Sequence, residues 1–331
     1  MCYTERMRAW RVHQYGDYRD VLRWEECEPP PPPSGGVRLR VAASGVNFPD
    51  ILAIAGRYQV RAPLPFSPGL EAAGVVDAAG AGSRYRPGQR VVAFASWGAH
   101  ADYMTAPDAA VFPIPDAMTD EHAAALTVIY QTSYFALRWR AALQPGEVLL
   151  VHGGAGGVGT SAIQLGKHMG ATVIATAGSE AKLQVCRDAG ADHVIHHRDA
   201  DFVAVVRELT GGRGADVIYD PVGGDTFDRS TKCIAFGGRL VVIGFASGRI
   251  PDIRANRILL KNISVVGLHW GAYLDHEPDR LRRCHDALCE LYAAGAFRPV
   301  LYATLPLERY PDALDALRSR DSYGKIVLTT T

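Results

Sequence analysis

The chain has 331 residues, a length that at roughly 100–200 residues per domain predicts two domains, each with its own core. Hydrophobic residues make up 48% and charged residues 21%, values that exclude a disordered chain. Lys plus Arg and Asp plus Glu both number 35, so no basic excess exists to neutralise a phosphate backbone, and nucleic-acid binding is not expected.

The first eight residues are polar and lack the apolar stretch of a signal peptide, and no later apolar run approaches a membrane span. Residues 8–112 read as short strands between turn signals; Val37 to Val41 alternates apolar and basic side chains, as a half-buried strand does. Prolines at 29–33 and glycine turns at 35–36, 79–82 and 87–88 fit a barrel-like or sandwich-like β domain. At Thr119 the texture changes. This residue is an expected N-cap, followed by Asp120 and Glu121, and opens a long predicted helix through Ala123, Leu126, Ile129 and Tyr130.

From there strands and helices alternate. Strands are predicted over 146–152, 171–177, 193–197, 216–220 and 239–246, with helices over 157–168 and 179–188 and a last strand at Ile263–Leu268. That succession implies an α/β, doubly wound parallel sheet with helices on both faces. A helix over 276–294, a strand near 300, a helix near 308–318 and a final strand, Lys325–Thr329, complete the chain. This tail would be marginal as an independent fold, so it is expected to return to the first domain.

Leu149 to Thr160 (LLVHGGAGGVGT) runs from an apolar strand into a helix, and Gly154, Gly156 and Gly159 satisfy G-x-G-x-x-G. The tight turn needs a residue free of Cβ, the middle glycine lets backbone N–H groups reach a pyrophosphate, and the last permits close helix–strand contact. A dinucleotide site follows. The second strand ends Ala175-Thr176-Ala177-Gly178-Ser179, without the carboxylate that usually binds a ribose 2′-hydroxyl. Ser179 and Lys182 instead offer a hydrogen bond and a charge to a 2′-phosphate, so NADPH is the expected cofactor. Glu180 works against that preference, although at the start of a helix it also has a structural role.

Cys2, Cys27, Cys186, Cys233, Cys284 and Cys289 form no C-x-x-C pair in a chain too long to need disulfide staples, and a reducing cytoplasm fits best. His196-His197 and Cys284-His285 lack a partner spacing that would mark a metal site.

Several segments together carry a resemblance: Ala43 to Asp50 (ASGVNFPD), Pro68 to Gly74 (PGLEAAG), the glycine turn, Thr176 to Ser179, Gly190 to Ile195 (GADHVI), Asp220 to Gly224 (DPVGG) and Leu260 to Gly267 (LKNISVVG). With these, nearly everything from Met7 onward resembles the zinc-independent quinone oxidoreductase branch of the medium-chain dehydrogenase/reductase superfamily, the branch of zeta-crystallin. The resemblance implies a GroES-like catalytic domain over 1–126, a Rossmann dinucleotide-binding domain over 127–270 and a return to the catalytic domain over 271–331, with the active site in the interdomain cleft. It implies substrate-side roles for Asn47, Asp50 and Tyr58. Tyr130, Gly153, Gly154, Gly156, Gly157, Val158, Gly159, Gly178, Ser179, Lys182, Gly244 and Phe245 would lie along the cofactor, and His197 stands where relatives often carry a tyrosine near the 2′-phosphate. A homodimer paired through the strand edge at Ile263–Leu268 is implied as well.

Zinc-containing members of the same superfamily have a cysteine where Asn47 stands and a histidine where Leu70 precedes Glu71, and no four-cysteine lobe follows residue 95. No metal is expected. The chemistry is then direct hydride transfer to an electron-poor conjugated acceptor, with hydrogen bonds stabilising the resulting anion. Asn47 is a candidate to orient the acceptor oxygen and Tyr58 to bind it or relay a proton; the bland alternatives are a turn cap for Asn47 and cleft packing for Tyr58. Asp50 reads as a turn-former or a group supporting its neighbours rather than as a general acid. The leading expectation is an NADPH:quinone reductase acting on a small molecule. A reductase of enones or enoyl thioesters needs the same core chemistry, and a zeta-crystallin-like RNA-binding or structural role is the alternative of another class, disfavoured by the zero net charge.

Overall fold

In the computed structural model, which describes residues 6–330, Val148–Val151 is buried along its whole length inside a six-stranded parallel sheet. Its neighbours along the chain are Thr172–Ala177, His193–His196, Ala215–Asp220, Ile234–Val242 and Ser264–Gly267. Numbered in that order the strands lie 3-2-1-4-5-6, so the direction of winding reverses between the first and fourth, which leaves a crevice at their carboxyl ends. Leu150 pairs with Ile174 on one side and Ile218 on the other, and these three join Leu240, Phe202 and Phe227 in the core. Runs buried on both faces explain why these strands read as continuous Val, Ile and Leu.

This sheet belongs to a unit formed by Ile129–Tyr273 and Glu290–Val300. The other unit runs up to Val128 and also includes Leu274–Cys289 and the chain from Leu301 onward. Within it, Gly36–Val46 pairs antiparallel with Glu71–Ala79, Tyr103–Pro107 and the carboxy-terminal strand Lys325–Thr329, which in turn pairs with Leu301–Pro306. Val37, Leu39, Val41, Val76 and Met104 fill one core of this unit, and Trp10, Val46, Ile54, Tyr310, Ile326 and Leu328 fill a second. No helix among the described residues is long and apolar enough to cross a membrane.

Two expectations from the sequence are corrected. The long helix opening at Thr119 is two helices, Asp120–Ala124 and Thr127–Tyr134. Thr119 does cap the first, its hydroxyl accepting from the His122 N–H at 3.2 Å. The break has a local cause: the Val128 N–H, which a continuous helix would aim at the Ala124 carbonyl, donates instead to the Glu71 carboxylate at 2.7 Å. The strand predicted over 239–246 is Ile234–Val242, starting earlier and ending sooner. Gly237, with φ +72°, bends its first part, and the Ile243 N–H turns to the Asp220 carbonyl, so Gly244 and Phe245 leave the sheet as a loop. Helices Phe202–Leu209, Gly224–Cys233 and Ala255–Lys261 complete the unit's connections.

Candidate functional site

The glycine turn links Val148–Val151 to the helix Gly157–His168. Gly153 is the residue whose φ, +58°, favours glycine, and it makes the turn possible. Gly154 packs so closely on the second strand and the next helix that a Cβ there would lie 2.9 Å from Ala175 Cβ and from Cys186 Sγ. At Gly159 a Cβ would lie 2.3 Å from the Gly153 carbonyl oxygen. Gly156 differs from both: its Cβ would meet only that oxygen, at 3.3 Å, and the residue is exposed. The absent side chain at 156 therefore leaves an open approach to the backbone rather than a packing contact.

No side chain caps the helix Gly157–His168, so the N–H groups of its first turn, at Gly157, Val158 and Gly159, face that approach with the positive end of the helix behind them. Ser133 and Ser161 fix the turn from below, donating to the Val158 carbonyl at 3.2 and 3.1 Å. An uncapped helix start over a Cβ-free cradle is the arrangement that binds a pyrophosphate, so these residues fit a dinucleotide.

Other predicted residues gather around the same crevice. A Cβ on Gly153 would touch Val222 and Pro221, and one on Gly223 would lie 3.0 Å from the Phe245 ring, so the loop Pro221–Gly224 and the Gly244–Phe245 segment meet beside the turn. Asp220 shapes that loop. Its Oδ1 accepts from the N–H groups of Val222 and Gly223 at 2.8 and 3.0 Å, while burial pushes its carboxyl above the usual range. A cavity of about 120 Å³ opens between His152, Thr176, His197, Val222 and Arg229. Thr176, on its wall, stands 3.1 Å from His152 Nδ1, and Ser230 stands 2.9 Å from Nε2. Ser230 spends its own proton on the Thr226 carbonyl, so His152 must carry its proton on Nε2, and burial pushes the ring down to about 3 and keeps it neutral.

Ser179 caps the helix Glu180–Asp188, its hydroxyl oxygen accepting from the Lys182 N–H at 3.4 Å, and its proton remains to donate. Glu180 turns away to Arg187, 2.7 Å distant on its own helix. Tyr130 lies on the helix Thr127–Tyr134. It is fully buried, its ring stacks on Phe297 at 4.2 Å, and its hydroxyl is committed to Gln164 and the Arg298 carbonyl at 2.5 and 3.1 Å. Its ring packs into the core of the unit, and its hydroxyl has two partners there.

In the other unit, Asn47 opens the helix Phe48–Ile54 and its amide is wholly engaged. Nδ2 donates to the Gly45 carbonyl at 3.1 Å and to Glu71 Oε1 at 3.0 Å, while Oδ1 accepts from the Lys325 ammonium at 2.8 Å. Asp50 Oδ2 accepts from the Asn47 N–H at 2.9 Å and stands 3.2 Å from His100 Nε2, with Ser44 3.0 Å from the other ring nitrogen. Tyr58 is half-buried, and burial together with the Asp50 charge pushes its phenol above the usual value, keeping it protonated. Of the three predicted acceptor-side residues, Tyr58 alone has no hydrogen bond committed to a described neighbour. Sequence reasoning missed Lys325, Asp220 and His100. Only Asp220 carried a local signal, as the carboxylate heading a Pro-Val-Gly-Gly turn.

Residues 33–116 match the family described as an alcohol dehydrogenase GroES-like domain, and residues 157–286 the family described as a zinc-binding dehydrogenase. Among the described residues no three His, Cys, Asp or Glu side chains converge as ligands, and Asn47 and Leu70 occupy the two positions discussed above. A quinone oxidoreductase-like protein 2 homolog of Nematostella vectensis is 39% identical over 89% of this chain and 81% of its own length. Quinone oxidoreductase-like protein 2 of Bos taurus is 36% identical over 97% of this chain and 93% of its own. The crystal structure of Escherichia coli quinone oxidoreductase complexed with NADPH superposes with a TM-score of 0.90 at 31% identity, covering 98% of this chain and 99% of that one.

Proposed function

Since the chain belongs to the quinone oxidoreductase branch of the medium-chain dehydrogenase/reductase superfamily, we propose that it is an NADPH-dependent oxidoreductase that reduces a quinone or a similar conjugated acceptor without zinc. The observation that carries this reading is the uncapped helix start over the open backbone at Gly156. Bound there, NADPH supplies the hydride. The first-turn N–H groups of Gly157–His168 hold the pyrophosphate, and the Gly178–Ser179 tip, with Glu180 turned to Arg187, receives the adenosine ribose and its phosphate.

On the acceptor side, Tyr58 is the residue we assign to the oxygen that becomes negative when hydride arrives. Its phenol is held protonated and donates. Asn47 and Asp50 act as positioning residues: the Asn47 amide is tied to Glu71 and Lys325, and Asp50 Oδ2 to the Asn47 N–H and His100. The Lys325 ammonium, 2.7 Å from Glu71, makes a fixed cation the partner of that carboxylate. We also propose a cytoplasmic location, supported by the free thiols Cys27, Cys186, Cys233, Cys284 and Cys289, and a homodimer paired through the open edge of Ser264–Gly267.

The test is NADPH oxidation by the chelator-treated protein against parallel panels of quinones, enones and enoyl thioesters. Fast turnover of quinones with unchanged rate after chelation is expected. Turnover confined to enones or thioesters would move the substrate assignment, and loss of activity restored by zinc would overturn the zinc-free reading.

A further inference from the structure

The strand Met7–Val12 bridges Ala101 through Ala9 and Phe66 through Val12, and the Gly98 N–H donates to the Ser67 carbonyl at 2.7 Å. These contacts hold the strand, the turn at Pro65-Phe66-Ser67 and the loop from Ala95 to Gly98 as walls of a cavity of about 410 Å³, a size that takes a small organic molecule. None of Asn47, Asp50 and Tyr58 lines it. Three rings do. Phe66 is buried, Tyr103 is half-buried with the Arg38 guanidinium over its ring at 5.0 Å, and Trp97 is 36% exposed. Trp97 stacks on no other ring among the described residues, so its indole is open to a ligand.

Among the described residues Arg11 is the only Lys or Arg on the cavity wall. It is half-buried and makes no ion pair with a described residue, and its Nε–H is sealed from water without an acceptor. Directly opposite on the paired strand stands a second arginine, Arg23, which donates to the Leu22 carbonyl at 2.8 Å. Burial pushes the neighbouring Cys27 thiol up and keeps it neutral, and Glu28, the one carboxylate on the wall, is exposed and forms no ion pair with Arg11.

We propose that this cavity is a second ligand site, made by none of the residues assigned above to cofactor or acceptor, and that it binds a small aromatic carboxylate with the acid group on Arg11 and the ring against Trp97. A half-buried guanidinium without a counterion is an uncompensated charge, and the two oxygens of a carboxylate match its planar fork of N–H groups. Arg23 across the strands adds a like charge and so a further pull on an anion. One guanidinium balances one negative charge, and the Glu28 carboxylate repels a doubly charged phosphate more than a monoanion, so the carboxylate is the better fit. Phe66, Trp97, Met7 and Met104 supply the apolar walls for a flat ring, with both methionine sulfurs suited to aromatic contact.

Calorimetry of the full chain with 2-naphthoate and with its neutral counterpart 2-naphthamide reads the site without any turnover. Wild type is expected to bind 2-naphthoate roughly 10–100-fold more tightly than 2-naphthamide, the worth of a hydrogen-bonded charge pair. Arg11→Gln is expected to lose that preference and leave 2-naphthamide binding unchanged. Arg11→Lys, which keeps the charge without the fork, should fall in between and carries the test if circular dichroism shows that Arg11→Gln does not fold. Trp97→Ala changes an exposed side chain and is expected to weaken both ligands by roughly 2–10-fold. Saturating NADPH should leave both affinities as they are. A wild type that does not distinguish the two ligands, a preference that survives Arg11→Gln, unchanged affinities in Trp97→Ala, or displacement by NADPH overturns this inference. None of these results touches the reductase reading, which rests on other residues.

Discussion

The Lys325 ammonium lies 2.7 Å from the Glu71 carboxylate, and the two side chains are 2% and 0% exposed. Around this pair the Asn47 amide and the Val128 N–H satisfy remaining lone pairs, and the Val46 carbonyl accepts a further ammonium proton at 3.0 Å. A buried pair so completely bonded is costly to break from one side, because the survivor stays charged with no counterion. Lys325→Met is expected to destabilise the protein by about 3–5 kcal/mol, and Lys325→Met with Glu71→Gln by clearly less than the sum of the single changes. Urea unfolding of the three variants checks this, and additive losses would mean the two charges do not depend on each other.

The glycines of the turn separate folding from binding. Gly159→Ala puts a Cβ against the Gly153 carbonyl and should cost roughly 1–3 kcal/mol of stability. Gly156→Val meets one atom at an ordinary backbone φ of −73° and should fold normally, yet lose roughly 100-fold or more in NADPH affinity, about 2.7 kcal/mol. Fluorescence titration and thermal melts of both variants decide the matter; full NADPH affinity in Gly156→Val would remove the turn from the cofactor site.

What the sequence makes legible here is what it makes local. G-x-G-x-x-G, its apolar strand and the following helix lie within 21 residues, and the predicted helix over 157–168 coincides with the observed one. The helix break after Ala124 could not be read, because its cause is a carboxylate at position 71 competing for the Val128 N–H. For the same reason Asn47 looked free to meet a substrate: Lys325, which takes its amide oxygen, is 278 positions away. Nor does anything in the local sequence around Tyr130 announce that Gln164 and the Arg298 carbonyl take its hydroxyl.

Tyr58 is the acceptor-side group whose phenol is held protonated by burial and by the Asp50 charge. If it donates to the oxygen that gains charge, Tyr58→Phe removes one stabilising hydrogen bond while keeping the ring. The expected loss in kcat is roughly 100-fold with KM for the quinone nearly unchanged, the size found when a single oxyanion donor is removed. A proportionate rise in KM at constant kcat would instead make Tyr58 a binding contact.

Ser264–Gly267 is the last strand of its sheet and pairs on one side only, and the helix before it presents Leu259 and Leu260, each 75% exposed. An open strand edge beside exposed leucines invites a second copy. Light scattering at micromolar concentration should give twice the chain mass, and Leu259→Glu with Leu260→Glu should halve it without lowering the monomer's helical content. A monomeric wild type would refute the proposed dimer.

Two buried histidines set the acid side of the stability profile. His152 is pushed down to about 3 and His285 to about 4, in both cases mainly by burial. His285 donates from Nε2 to the Pro113 carbonyl at 2.8 Å, stacks on Phe112 with ring centroids 4.9 Å apart, and has its other nitrogen sealed from water without a partner. Each ring is therefore neutral in the folded chain, whereas in the unfolded chain it takes up a proton below about pH 6.5. Between those values unfolding binds protons, so stability rises with pH through the window and is lost as pH falls from about 6.5 toward 4. Each histidine should remove about 2 kcal/mol between pH 7 and pH 5, before the ordinary carboxylates begin to titrate. His285→Gln retains an N–H for the Pro113 carbonyl but has no proton to gain. Urea midpoints at pH 7, 6 and 5 should therefore fall less steeply in this variant than in wild type, by the contribution of one histidine; parallel slopes would show that His285 is not held neutral by its surroundings.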